Sequence, residues 1–136
     1  MIKKRFLFSL IISLMFLGAC AHVPQKPPEE NLLARVQLEW QSKLEYDWGQ
    51  VYDLSCSDFK AKMSMNIFLN SSKIDVTSYN ILGVSILEPG RGESRVEYTV
   101  RQAGHELDLK SKETWLLEDG EWCLDLSAGL AFPVSQ

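Results

Sequence analysis

One switch in hydrophobic period constrains this chain more than any other feature. Ahead of Ser71-Ser72, the residues Leu33, Val36, Trp40, Leu44, Trp48, Val51 and Tyr52 recur three or four apart. That spacing makes one apolar stripe on a helix. Beyond it, Val96, Tyr98 and Val100 alternate with Arg95, Glu97, Thr99 and Arg101, the period of a half-buried strand. Helices first and alternating strands second make an α+β fold, with N-terminal helices packed on a curved antiparallel sheet of about four strands.

Local signals divide the two halves. Pro28 precedes the helical pattern of Glu29–Tyr52, and Glu29-Glu30 complement a helix N-terminus. Asp47 reads as an N-cap that splits this pattern into a long helix and a short one, since short polar side chains accept from free N–H groups there. Ser57-Asp58-Phe59-Lys60 starts another turn, and Ser64 caps a small helix carrying Ile67 and Phe68. Tyr79–Leu87 reads as a strand with a bend at Gly83, and Pro89-Gly90-Arg91-Gly92 as the loop after it. Gly104-His105 is a second turn, and Asp119-Gly120 carries a two-residue hairpin signal. Trp40, Trp48, Trp115 and Trp122 supply bulk for a core, each able to bury about 200 Å².

The first twenty residues resemble a bacterial lipoprotein signal. Lys3-Lys4-Arg5 precedes an apolar run from Phe6 to Leu17, followed by Leu17-Gly18-Ala19-Cys20. A run of that length is short of the about 20 residues that span a bilayer. The resemblance implies cleavage after residue 19, diacylglycerol on Cys20, and anchoring to a membrane through that lipid. Ala21 rather than Asp follows the cysteine. By the enterobacterial pattern this implies an outer-membrane location facing the periplasm if the source is Gram-negative. Residues 20–28 then form a lipidated cysteine and Pro-rich tether, which spaces residues 29–136, one α+β domain, by about 25 Å from the bilayer. His22 falls in this tether and reads as a solvated residue.

Two further segments resemble the nuclear transport factor 2-like superfamily, a cystatin-like α+β cone. One is Arg35-x4-Trp40-x3-Leu44-x2-Asp47-Trp48-x3-Tyr52-x-Leu54-x4-Phe59-Lys60, the other Glu113-x-Trp115-x3-Asp119-Gly120-x-Trp122. The resemblance implies a cone with a pocket between helix and sheet, for which Tyr52, Tyr98, Glu113 and Trp115 are the candidate lining residues. Glu113 shares strand parity with Leu109, Trp115 and Leu117. That parity would face it inward, where burial would raise its pKa, but the expectation is the surface, the usual place for a carboxylate, reached through a bulge near Ser111-Lys112 or at a rim position pairing with a lysine.

Net charge is −4 overall, and after residue 19 eleven basic residues face eighteen acidic ones. Such a balance disfavours nucleic-acid binding, which rests on cations neutralising phosphates. With Cys20 lipidated, Cys56 and Cys123 remain as a candidate disulfide. Strand phase opposes it, because Cys123 points away from Trp122. Two separate thiols are expected, unless a bulge or the sheet rim brings them together. Neither a metal site nor a cofactor is expected, two cysteines without neighbouring histidines being too few ligands. His105, in a turn, reads as a surface residue. The functional expectation is a non-catalytic binding or assembly module in the envelope, with another envelope protein or a small apolar ligand as partner. The alternatives are an isomerase- or dehydratase-like enzyme and an apolar ligand carrier using the cone.

Overall fold

The computed structural model describes residues 26–71 and 73–127. Four helices precede four strands: α1 (Pro28–Leu44), α2 (Trp48–Leu54), α3 (Ser57–Lys62), α4 (Met65–Asn70), β1 (Asp75–Glu88), β2 (Arg91–Gln102), β3 (His105–Glu118) and β4 (Glu121–Leu124). The strands form one antiparallel, open sheet in the order β1-β2-β3-β4.

Pro28 starts α1 without sacrificing a hydrogen bond, and Glu29 and Glu30 lie in its first turn. The helix ends where Tyr46 takes a left-handed φ of 61° and the Asp47 N–H returns to the Ser42 carbonyl at 2.8 Å. Asp47 Oδ1 then accepts from the Gln50 N–H at 3.1 Å and caps α2. Ser64 caps α4 in the same manner through the Ile67 N–H.

Alternation sorts the sheet into two faces. Gly92, Ser94, Val96, Tyr98 and Val100 of β2 share the α1 side with Leu109, Ser111, Glu113 and Trp115 of β3, which lie directly opposite in the register. On the other side, Lys110 pairs with Glu97 at 2.9 Å, and Lys112 with Glu93 at 3.0 Å. This face is a solvated lattice of charges, the polar half of a one-sided antiparallel sheet. Asp119 and Gly120 take φ of 49° and 80° and close β3 onto β4 as a two-residue turn with both residues left-handed. Arg91 and Gly92 belong to β2 rather than to the preceding loop, which is only Pro89-Gly90.

Gly92 has a specific task. A Cβ built there would lie 2.6 Å from Leu32 Cδ2 and 3.6 Å from the Trp122 ring. Leu32 is fully buried, so the missing side chain is what lets α1 lie close on the sheet. Leu32, Val36, Trp40, Val96, Trp115, Trp122 and Leu124 fill the core between them. A second, smaller cluster stacks Tyr52, Phe59 and Phe68, with Trp48 edge-on to Phe68. The inward stripe of α1 is displaced from the expected one. Leu32 is buried where Leu33 is only half-buried, Leu44 is exposed, and the charged Glu39 and Lys43 occupy buried positions. Paired charges occupy part of the helix face that a hydrophobic stripe would claim.

Candidate functional site

The most chemically loaded place in the molecule lies beneath α1. Glu113 points inward from β3, as strand parity requires, and no bulge near Ser111-Lys112 turns it out. Its Oε2 accepts from Trp40 Nε1 at 3.1 Å and from Ser94 Oγ at 3.0 Å, and its Oε1 from Lys43 Nζ at 3.1 Å. Ser94 Oγ in turn accepts from Trp115 Nε1 at 3.0 Å, so two of the three core indoles, those of Trp40 and Trp115, end in this network. Lys43 Nζ also lies 4.0 Å above the Trp40 ring. Desolvated cation–π contacts of this kind are worth about 2 kcal/mol.

Glu39 completes the cluster from one turn back along α1. Its residue has no solvent exposure. Lys43 Nζ closes on its Oε1 as an ion pair, yet neither carboxylate oxygen has an aligned hydrogen-bond partner. The aligned bond from the lysine goes to Glu113 instead. Burial pushes the Glu39 pKa up to about 8 against the opposing pull of Lys43. For Lys43, burial favours losing the proton, but Glu39 and Glu113 together outweigh it and raise the pKa. At neutral pH burial thus favours the protonated form of Glu39, while Lys43 keeps its proton.

Strand parity allowed Glu113 here beside Trp115, but the surface position expected for Glu113 is overturned, because the β2–β3 register runs without a bulge. Glu39 and Lys43 were missed, although their i,i+4 spacing, acid N-terminal to base, was legible. Tyr98 joins through Trp40, its ring 4.7 Å from the indole. Tyr52 stands apart, donating its hydroxyl to the Met63 carbonyl at 2.8 Å within the smaller aromatic cluster. Among the described residues, Tyr52 is thus placed apart from Tyr98, Glu113 and Trp115. A cavity of about 400 Å³ does include Tyr98, with Ser78, Asn80, Glu97, Thr99 and Asp108. The last five alternate with Tyr98 and its cross-strand partners, which places the cavity on the charged face, away from the Tyr98 ring. His105 is exposed at the start of β3.

The second concentration of chemistry is at the rim. Cys56 and Cys123 are joined as a disulfide, with Cα atoms 4.9 Å apart. The expectation of two separate thiols fails for a geometric reason. Ser55 pairs in parallel with Leu124, and the Cys56 N–H donates to the Leu124 carbonyl at 3.0 Å. The segment after α2 therefore runs beside β4 at the edge of the sheet, in reach of a side chain that points away from α1. Glu118 lies beside the pair, all three ligand atoms within 4.8 Å of one another. Its carboxylate accepts from the Ser57 N–H at 3.1 Å and from Ser57 Oγ at 3.0 Å. Cys20, His22 and the tether up to residue 25 lie outside the described residues. Among the described residues, no helix is long and apolar enough to cross a membrane.

No family model matches the chain, and no curated protein matches it either. Solved structures do. A SEC-C motif containing protein from Rhodopseudomonas palustris, determined in solution, is similar at a TM-score of 0.57 and 14% identity, over 68% of this chain and 73% of that one. A SEC-C motif containing protein from Psychrobacter arcticus is similar at 0.59 and 6% identity, over 83% of this chain and 65% of that one, just under two thirds of its length. These likenesses concern the fold alone. They correct the resemblance drawn from the tryptophan spacing: the structural neighbours are SEC-C motif proteins, not nuclear transport factor 2-like ones. Neither neighbour is described as a lipoprotein, so the comparisons lend that resemblance no support. The misleading motifs were packing patterns, Trp-x-x-x-Leu on a helix and Trp before Asp-Gly in a hairpin, which any helix-on-meander fold can produce.

Proposed function

We propose that this chain is a lipid-anchored envelope protein whose α+β domain is a non-catalytic binding or assembly module. The observation that carries the second half is the enclosure of Glu113 by three side-chain donors beneath α1. Its carboxylate, the best placed acid for isomerase- or dehydratase-like chemistry, is held by Trp40, Lys43 and Ser94. A base tied to three fixed donors beneath a helix has no open approach for a substrate proton. Glu39, the neighbouring acid, is sealed from solvent. The network reads as a polar strut between α1 and the sheet. Past the end of α1, Leu107 and Leu109 remain 44% and 41% exposed on the helix side of β3, an apolar ledge suited to protein contact.

The anchor half rests on the order of basic head, apolar run and Leu17-Gly18-Ala19-Cys20. Mass spectrometry of the N-terminal peptide tests it. A diacylglycerol adduct on Cys20, lost with retention of the leader in Cys20→Ser, is the expected result, and an unmodified Cys20 refutes the anchor. Crosslinking in native membranes tests the module. A single protein recovered repeatedly, and lost on Leu109→Asp, supports the reading, whereas recovery of lipid and the chain alone refutes a stable partner.

A further inference from the structure

We propose that the chain, once its disulfide is reduced, binds a zinc-class divalent cation between Cys56 Sγ, Cys123 Sγ and the Glu118 carboxylate. The proposal is independent of the functional reading above. Two thiolates and one carboxylate are a donor set suited to Zn²⁺, which takes Cys and Asp/Glu ligands and leaves a fourth position for water. The three ligand atoms already lie within 4.8 Å of one another. A shared tetrahedral ion, bonded at about 2.3 Å to sulfur, parts two sulfurs to about 3.8 Å. Opening the disulfide therefore asks for small side-chain rotations and leaves the backbone pairing of Cys56 with Leu124 in place.

Three other features of the rim fit an ion site. Ser57 fixes Glu118 through its N–H and its hydroxyl, the outer-shell orientation that metal carboxylates use. Each carboxylate oxygen keeps a free lone pair after those bonds. A cleft of about 240 Å³ opens on Cys123 and Glu118 and provides entry and room for a water ligand. Its wall carries Asp53, Glu118, Asp119 and Glu121 against Arg35 and Lys60, an excess of negative charge that attracts cations. Arg35 is itself occupied by the Trp122 carbonyl at 2.9 Å, and Lys60 by the Asp53 carbonyl at 2.8 Å.

The chemistry balances with a dithiol as reductant. The dithiol is oxidised to its own disulfide, the Cys56–Cys123 bond takes the two electrons, and two protons reach the sulfurs. Metal binding then displaces both thiol protons to solvent, so affinity rises with pH.

The test uses the full-length Cys20→Ser chain in detergent, whose only thiols are Cys56 and Cys123, reduced with a phosphine that does not chelate metals. Calorimetric titration with Zn²⁺ is expected to show one ion per chain. Co²⁺ is expected to show a thiolate charge-transfer band, with neither signal from the oxidised chain. Glu118→Gln leaves the disulfide untouched and weakens binding about tenfold or more, and Ser57→Ala weakens it about tenfold. A reduced chain that binds neither metal overturns the proposal. Equal affinity in Glu118→Gln also overturns it, because the ion is then held by the thiols without the carboxylate.

Discussion

Glu113 and Glu118 sit on the same strand, and the fold puts them to opposite uses. Glu113 ends under α1, bonded to two side chains of the helix and one of β2, its side chain only 12% exposed. Glu118 ends at the rim, bonded to a single serine beside an open cleft. The difference shows that a carboxylate becomes structural when several fixed donors hold it away from water. It stays available when one flexible neighbour holds it at the edge of water.

The sharpest way to break this contrast is Glu113→Ala. It leaves the buried Lys43 ammonium with Glu39 as its one carboxylate neighbour in the cluster and leaves the Trp40 and Ser94 donors without their acceptor. Removing one partner of such a cluster costs about 3–5 kcal/mol. Urea unfolding monitored by tryptophan fluorescence checks it, and a loss below about 1 kcal/mol means the strut bears no weight. A Glu39→Gln variant probes the interior differently. The folded pKa of Glu39, about 8, stands above its ordinary value of 4.5. The folded state binds this proton more tightly, so the associated stability is complete below about pH 4.5 and is lost as pH rises through about 8. Each pH unit in that window removes up to about 1.4 kcal/mol. Unfolding free energies between those limits should decline in the parent chain and stay nearly level in Glu39→Gln.

Gly92→Ala is expected to cost about 1–3 kcal/mol, the range for overpacking a filled core, because the added Cβ would lie 2.6 Å from Cδ2 of the fully buried Leu32, which must shift. At the rim, Glu118→Gln should change stability by less than about 1 kcal/mol, since an amide oxygen still accepts from Ser57 and the site is solvated. If that variant destabilises as much as Glu113→Ala, the two acids do not differ in the way described.

The strand half was legible because Val96, Tyr98 and Val100 alternate with charged and polar neighbours and the Asp119-Gly120 turn has a chemistry of its own. The helix half was legible in its breaks, Asp47 and Ser64, and less so in its facing. A hydrophobicity pattern cannot see that Glu39 and Lys43 are buried, because each neutralises the price of the other. The disulfide escaped for a different reason. Parity describes which way Cys123 points, while the partner arrives along the edge rather than across a face. Glu118 escaped with it, its relation to the cysteines existing only once Ser55 and Cys56 lie beside β4. The tryptophan spacings did mark the core residues Trp40, Trp115 and Trp122, but they did not identify the right structural relatives.

The single parallel bridge of Ser55 to Leu124 also governs how this molecule can be extended. β4 is four residues long, and its open side is partly taken by that bridge and by the bond from Cys56 to Leu124. The other margin is β1, fourteen residues long and uncharged from Val76 to Leu87. Strand addition therefore has one usable side per molecule among the described residues. Growth through that side stops at two copies, so any misassembly by edge pairing ends as a closed pair rather than running on into a fibre.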